Sequence, residues 1–277
     1  IMTNSTVSSS PTSTRRSADI IHYNARQPNM ASTGLACQGC ALSSLCLNSP
    51  VVESTLGREP EFLQLVRQGK PIAKGRHVYR QGDAFKSLYV VRAGALKAYN
   101  VSSSGIEQVV GFYLPGDIVG FDGLVEERHH SSLIALDTAA LCELPFSELD
   151  AQLADNEGQR RQFFSLQSAA LVQQQRFLLQ HCQNTAEEQL AAFLLDISGR
   201  FKRRHLACDR FRLPMSRKDI ASYLGLAVET ISRLFSRFQT AGWIDVDGRE
   251  ITLQDLSSFE NNKSLSSGDQ TKEACHV

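Results

Sequence analysis

The sequence predicts an α+β protein with an N-terminal β-roll (a double-stranded β-helix), a long helix and a C-terminal winged helix-turn-helix. Three observations support this fold class. Short alternating strands separated by glycine turns fill residues 60–147, a pattern typical of an all-β roll or barrel. After Gly158 no Gly or Pro occurs up to residue 182, which favours one long helix. A helix-turn-helix pattern then covers residues 217–236.

The strands of the β-roll are predicted from alternation and from the turns between them. The turn signals are glycines, two of them followed by aspartate. The clearest predicted strands are Ser87–Arg92, Ala95–Val101 and Glu107–Tyr113.

The long helix carries Phe164, Leu171 and Leu178 at intervals of seven residues. This spacing forms a weak coiled-coil-like stripe, which polar residues interrupt. The pattern suits either a packed amphipathic helix or a dimerisation helix. The length of the helix and its position between two domains favour dimerisation.

A second helix begins at Thr185, which forms a capping-box pattern with Glu188. A basic run follows, with eight Lys or Arg residues against one acid between Arg200 and Lys218. Such a run is usually a solvated face. Beside a DNA-binding motif it predicts contacts with phosphates.

The helix-turn-helix pattern rests on small and apolar residues at fixed spacing. Ala221 lies at the predicted helix crossing, Gly225 in the turn that needs positive φ, and Ile231 at the junction. Ser216 is a predicted N-cap with Asp219 three residues later. Residues 243–253 alternate around a turn and predict a hairpin wing.

The second helix of this motif is expected to enter the major groove with its N-terminal residues toward base edges. These residues include Val228, Glu229, Ser232 and Arg233. A carboxylate can accept from cytosine N4, and a guanidinium can grip guanine O6 and N7. Glu229 and Arg233 are therefore candidate base-reading residues.

Bulk composition limits the function classes. The 277 residues have a net charge of zero and no apolar run that approaches a membrane span. No signal peptide is recognisable, so we expect a cytoplasmic chain in which cysteines stay reduced unless they bind metal or sense redox state. A nucleic-acid partner therefore has to be argued from a local site.

Three of the seven cysteines, Cys37, Cys40 and Cys46, lie within ten residues. C-x2-C alone is compatible with a redox pair, half of a zinc site or an iron–sulfur ligand set. The chain has no second tight cysteine pair of the kind that a structural zinc site usually brings. Spacing alone leaves these alternatives open.

With these parts in order, residues 37–255 resemble the cyclic-AMP receptor and FNR (fumarate–nitrate reduction) superfamily of bacterial transcription regulators. The FNR branch fits best, because the stretches CQGCALSSLC, GFYLPGDIVGFDGL, CELPFSELD and YLGLAVETISRLFSRFQ are similar to it. The cyclic-AMP receptor has arginine where this chain has Val228. The expected phosphate-binding arginine is out of register, and His129-His130-Ser131-Ser132 stand at about that place.

The resemblance implies a [4Fe–4S] cluster held by Cys37, Cys40, Cys46 and the remote Cys142. It implies an oxygen-responsive homodimer on TTGAT-N4-ATCAA-like DNA, with Arg233 on guanine, Glu229 on cytosine and Ser232 near a thymine methyl. RNA polymerase is the implied protein partner, and neither a cyclic nucleotide nor a membrane is expected. The alternatives are a regulator with a structural zinc or small-ligand sensor, and an iron–sulfur redox enzyme. The enzyme is disfavoured because nucleotide-fingerprint and acid/base motifs are missing.

Two departures from the family pattern stand out. Residues 159–186 contain no acid, and Gln174 stands where relatives can carry an acid that opposes dimerisation. Ala227 replaces the Ser or Thr with which such recognition helices often begin.

These predictions divide the chain into six consecutive segments. A disordered segment is predicted at 1–36, a cysteine-rich cluster-binding segment at 37–59, a β-roll sensor at 60–156, a dimerisation helix at 157–184, the winged helix-turn-helix at 185–257 and a disordered tail at 258–277.

Overall fold

The structure is a computed structural model that describes residues 40, 42–47, 61–204 and 206–254. Cys37 and the segments 1–36 and 258–277 lie outside the described residues. The helices are α1 Ser43–Leu47, α2 Glu61–Gln64, α3 Phe146–Asp155, α4 Glu157–Gln183, α5 Ala186–Arg203, α6 Arg217–Leu224 and α7 Val228–Thr240. The strands are β1 Arg67–Gln68, β2 His77–Tyr79, β3 Ser87–Ala93, β4 Leu96–Val101, β5 Glu107–Tyr113, β6 Ile118–Val119, β7 Ser132–Ala135, β8 Ala140–Pro145, β9 Arg210–Arg212, β10 Ile244–Asp247 and β11 Glu250–Leu253.

The first eight strands form the predicted β-roll from two four-stranded antiparallel sheets. One sheet has the order β1-β8-β3-β6 and the other β2-β7-β4-β5. The turn between β3 and β4 needs Gly94, which has φ 78°. A Cβ there would lie 2.3 Å from the carbonyl oxygen of Thr138, so any other residue would have to displace backbone.

The long helix is present, but a shorter helix precedes it. Asn156 has extended backbone angles and separates α3 from α4. Its side chain accepts a hydrogen bond from the N–H of Gln159 at 3.0 Å, which satisfies a donor in the first turn of α4. The 27 residues of α4 then continue to Gln183. No helix in the described ranges is long and apolar enough to cross a membrane.

The helix-turn-helix of α6 and α7 follows the predicted chemistry. Gly225 has φ 64° in the turn, and Ala221 and Ile231 are buried between the helices. Ser216 and Asp219 form a reciprocal capping box at the start of α6. The capping box predicted at Thr185 is also present at the start of α5.

The wing is a three-stranded sheet rather than the predicted two-stranded hairpin. Its order is β10-β11-β9, and Phe211 of β9 pairs with Ile251 of β11. The third strand escaped prediction because its Arg-Phe-Arg alternation lies within the basic run. Phe211 is buried, while its arginine neighbours Arg210 and Arg212 are exposed.

Edge strand β5 of the β-roll is closed by the first helix of the DNA-binding motif. The Oγ of Ser222 accepts from the N–H of Val109 at 2.9 Å and donates to the carbonyl of Glu107 at 3.2 Å. The side chain of Gln108 donates to the Ser222 carbonyl. These bonds satisfy backbone groups that an edge strand otherwise leaves open to another chain.

Charged contacts add to this interface. The Nζ of Lys97 on β4 lies 2.6 Å from the Oδ1 of Asp219, and both side chains are 15% exposed. Burial alone would raise the pKa of Asp219, but hydrogen bonds from Lys97 and Ser216 hold that pKa below its usual value. Asp219 therefore caps α6 and joins it to the β-roll.

The structure corrects the prediction that Arg200 contributes to a phosphate-binding face. Its guanidinium is largely buried and donates to Asp196 at 2.9 Å, to the Phe112 carbonyl at 2.8 Å and to Asp117 at 3.0 Å. Burial raises the pKa of Asp117, and Arg200 opposes that rise. The residue joins α5 to the β-roll, whereas Lys202 and Arg203 of the same run are exposed.

An aromatic junction connects three parts of the protein. Tyr223 of α6 lies 4.4 Å from Phe177 of α4, 5.1 Å from Phe112 of β5 and 5.9 Å from Phe193 of α5, measured between ring centroids. The long helix, the β-roll and the DNA-binding motif therefore meet at one ring.

Candidate metal centre and DNA-binding surface

The described cysteines of the predicted ligand set belong to one hydrophobic cluster. Cys40 precedes α1, Cys46 lies on α1 and Cys142 lies on β8. Cys46 is 9% exposed, and the other two are half-buried against the same apolar residues. The fold thus places cysteines that are about a hundred residues apart in the sequence against one hydrophobic cluster.

The cluster's shell is apolar and includes the start of α4. Leu42, Leu45, Leu88 and Leu144 are among its buried members. On the α4 side, Phe163 is buried in the cluster and Leu166 packs against it. A shell of this kind limits solvent access and tunes the potential of a metal site.

The donor chemistry of the described thiols suits an iron–sulfur cluster, whose usual ligands are cysteine thiolates. The N–H of Leu42 donates to the Sγ of Cys40 at 3.4 Å, and hydrogen bonds to sulfur are one determinant of cluster potential. Within the described ranges, no three His, Cys, Asp or Glu side chains are grouped so that they could hold a metal ion. The fourth predicted ligand, Cys37, lies outside those ranges.

The recognition helix α7 presents its predicted base-reading residues to solvent. Glu229, Ser232 and Arg233 are exposed, while Ile231, Leu234, Phe235 and Phe238 fill the opposite, buried face. The Oγ of Ser232 donates to the carbonyl of Val228 at 2.9 Å. Docking of α6 on the β-roll therefore leaves the reading face of α7 open.

Helix α7 begins without a side-chain cap, as predicted. Ala227 occupies the N-cap position with φ −69° and ψ 146° and makes no side-chain hydrogen bond. These extended angles are those that a capping serine adopts.

We expect Ala227→Ser to raise the free energy of unfolding by about 1 kcal/mol, because the new hydroxyl would satisfy an N–H in the first turn of α7. Urea unfolding of the two proteins measures the change. Ala241→Ser, at the opposite end of the helix, is the matched control and is expected to leave stability unchanged. Equal midpoints for Ala227→Ser and the parent would contradict the prediction.

Helix α4 carries a row of exposed large apolar side chains. Phe164 is 59% exposed, Leu171 56% and Leu178 63%. Val172 and Leu179 widen the row. An exposed apolar surface of this kind marks an interaction site in a soluble protein.

Comparisons with known proteins agree with this architecture. A family model described as a Crp-like helix-turn-helix domain matches residues 188–261, and one described as a cyclic nucleotide-binding domain matches residues 70–156. The transcriptional activator protein Anr of Pseudomonas protegens is 41% identical over 219 residues, which span 79% of this chain and 88% of that protein. The fumarate and nitrate reduction regulatory protein of Escherichia coli is 41% identical over 229 residues, spanning 83% and 88% respectively.

The chain belongs to the FNR-type regulators. Among solved structures, FixK2 from Bradyrhizobium japonicum is similar with a TM-score of 0.66 and 27% identity, over 74% of this chain and 99% of that one. An FNR-type regulator binds DNA and controls transcription, so this protein is a transcription regulator and not an enzyme. The resemblance stated from the sequence is thereby confirmed at the level of fold and family.

Proposed function

We propose that this FNR-type protein is an oxygen-responsive transcription activator whose DNA binding depends on a [4Fe–4S] cluster held by Cys37, Cys40, Cys46 and Cys142. The observation that carries the proposal is that Cys40, Cys46 and Cys142 all pack in or against one apolar cluster. When bound, the cluster would supply the oxygen-labile group. The four cysteines fit this role because cysteine thiolates are the usual ligands of [4Fe–4S] centres. The names of the similar Anr and FNR proteins support the same proposal.

The route from the cysteines to the DNA-binding motif runs along α4. The start of this helix contributes Phe163 to the cysteine cluster. Near its other end, the ring of Phe177 packs against that of Tyr223 of α6 in a tilted arrangement. Ordering of the cysteine segment would therefore favour one placement of α4, and with it one placement of the helix-turn-helix. A ligand-controlled switch needs an element with two conformations whose equilibrium the ligand shifts, and α4 would be that element here.

The exposed row on α4 supports a homodimer. Two copies of α4 packed along Phe164, Leu171 and Leu178 would bury apolar surface that the single chain leaves in water. A dimer would present two α7 helices to the two halves of a palindrome. On TTGAT-N4-ATCAA-like DNA we assign Arg233 to guanine, Glu229 to the paired cytosine and Ser232 to a thymine methyl.

The absence of acids from residues 159–186 removes a charge repulsion that could keep the apo protein monomeric. We expect apo protein to show a dimer fraction at micromolar concentration in sedimentation experiments. Gln174→Glu is expected to reduce that fraction, because it places like charges next to each other across the seam. Gln173→Glu, one residue along and off the stripe, is the control. A purely monomeric apo protein would contradict this expectation.

The proposal also covers the partners of this protein and its location in the cell. RNA polymerase is the expected protein partner of an activator, and the bacterial cytoplasm is where such a protein meets DNA. We propose no role for a cyclic nucleotide. The domain boundaries given above stay predictions, with 60–156 as the sensor and 185–257 as the DNA-binding part.

Anaerobic purification tests the proposal most directly. We expect a brown protein with about four irons per chain that bleaches in air and loses specific DNA binding at the same time. A colourless protein with one zinc per chain, or DNA binding that is indifferent to air, would overturn it.

A further inference from the structure

One carboxylate of the β-roll accepts hydrogen bonds from several donors of a single turn. Asp122 lies in the 3-10 turn Phe121–Gly123. Its Oδ2 accepts from the backbone N–H of His130 at 3.1 Å, from the backbone N–H of Ser131 at 3.0 Å and from the Ser131 hydroxyl at 2.8 Å. The Nδ1 of His129 lies 3.4 Å from its Oδ1.

The donors belong to residues 129–131, at about the place where the family resemblance implies a phosphate-binding turn. A family model described as a cyclic nucleotide-binding domain matches residues 70–156, which include them. Successive backbone N–H groups and a hydroxyl that point at one spot form an anion-binding site. Arg128 of the same segment donates to the carbonyl of Gly82 at 2.8 Å. A phosphate bound at this turn would compete with Asp122 for the same donors.

Aromatic and imidazole rings cover the interior side of the Asp122 site. The His129 side chain is 2% exposed and stacks on Tyr79 at 3.5 Å between centroids, with Phe85 edge-on at 5.5 Å. Burial alone would raise the pKa of Asp122, but hydrogen bonds from His129 and Ser131 outweigh it and hold that pKa below its usual value. The carboxylate is thus held in its charged form.

The turn that Asp122 holds includes strained backbone. Glu127 has φ 52°, in the left-handed region that a non-glycine residue rarely adopts. Backbone hydrogen bonds fasten this segment to residues 82–85, including Phe85 N–H to the Glu127 carbonyl and His129 N–H to the Asp83 carbonyl. Strained conformations persist where the surroundings fix them, and Asp122 supplies the bonds on the C-terminal side.

We propose that Asp122 is a built-in anion that fills the phosphate position of the β-roll and holds its phosphate-binding turn in place without any ligand. The site would take a small carboxylate or phosphate if Asp122 were removed. The proposal deepens the expectation that this regulator uses no cyclic nucleotide, and it stands apart from the iron–sulfur proposal. The β-roll would then be a fixed frame, and regulation would fall to the cysteine segment.

Anion rescue of Asp122→Ala tests the proposal. We expect the variant to melt about 5 °C below the parent, because it leaves partly buried donors of Ser131 and His129 without their acceptor. Sodium formate at roughly 100 mM is expected to restore about half of the lost melting temperature, because formate can occupy the vacated position and stabilise the folded state by binding. Sodium chloride at equal ionic strength is the reference for this comparison. Inorganic phosphate in place of formate tells whether the site also accepts a tetrahedral anion. Apo protein suffices, so the result does not depend on cluster loading.

Two matched variants separate site binding from general salt effects. Asp122→Asn keeps the volume and one acceptor but not the charge, so it is expected to melt below the parent and to gain nothing from formate. Asp83→Ala removes a carboxylate that accepts from the Arg80 N–H at 2.8 Å at the surface, and it should show no formate effect.

Three results would overturn the proposal. The first is an Asp122→Asn variant as stable as the parent, a test that holds even where the alanine variant fails to fold. The second is equal formate responses of the folded Asp122→Ala variant and the parent. The third is stabilisation of the parent protein by cyclic AMP.

Discussion

Cys142→Ser is expected to reduce the iron content of anaerobically purified protein from about four per chain to nearly none. Serine is almost the size of cysteine, so strand β8 should keep its place between β1 and β3. Serine lacks the thiolate that iron–sulfur clusters require. Loss of the cluster would remove specific DNA binding, which is typically about 10³-fold or more tighter than non-specific binding.

Cys182→Ser is the matched control for this experiment. Cys182 is exposed near the end of α4 and matches no ligand position. We expect this variant to keep its iron and its DNA affinity, measured by iron assay and by anaerobic fluorescence anisotropy on a palindromic site. Four irons retained by the Cys142→Ser protein would rule out Cys142 as a ligand. Equal unfolding midpoints for the apo forms of both variants would exclude a folding defect, because the bound cluster itself adds stability.

Arg233→Ala is expected to weaken specific binding on the order of 100-fold, because a bidentate arginine–guanine contact is worth about 1–3 kcal/mol and a dimer makes it twice. The side chain is exposed on α7, so the fold should be unaffected. Anisotropy with the cluster-loaded protein measures the loss.

Base substitution identifies what Arg233 reads. Replacing the G·C pair of each TTGAT half-site by A·T is expected to weaken the parent strongly and the Arg233→Ala protein hardly at all. Arg237→Ala removes the same charge one turn further along α7 and is expected to leave the preference for G·C intact. An Arg233→Ala protein that still prefers G·C would contradict the assigned contact.

Local chemistry explains why much of the fold could be predicted. The capping boxes at Thr185 and Ser216, the left-handed Gly225 and the alternating strands depend on neighbours within a few residues. Sequence patterns of that range are readable without a structure. The third strand of the wing was missed because β9 is short and its partner, β11, lies about forty residues further on.

Side-chain partners across the interface could not be predicted in the same way. Arg200 looked like one of several basic surface residues, yet it is buried against Asp117 from another part of the chain. Lys97 and Asp219, 122 positions apart, form a close ion pair that no local pattern signals. The cysteine ligand set stays a prediction: the family resemblance named Cys142, and the structure places it against the same hydrophobic cluster as Cys40 and Cys46.

The hydrogen bonds between Ser222 and strand β5 limit how this protein can be recombined with other regulators. A chimaera that joins this β-roll to a DNA-binding module from another protein would keep β5 but could lose the hydroxyl that covers Val109 and Glu107. The uncovered strand would then be open to pairing with a second molecule, which is a common origin of aggregation. Module exchange in this protein should therefore retain a serine or threonine at position 222 together with its partners on β5.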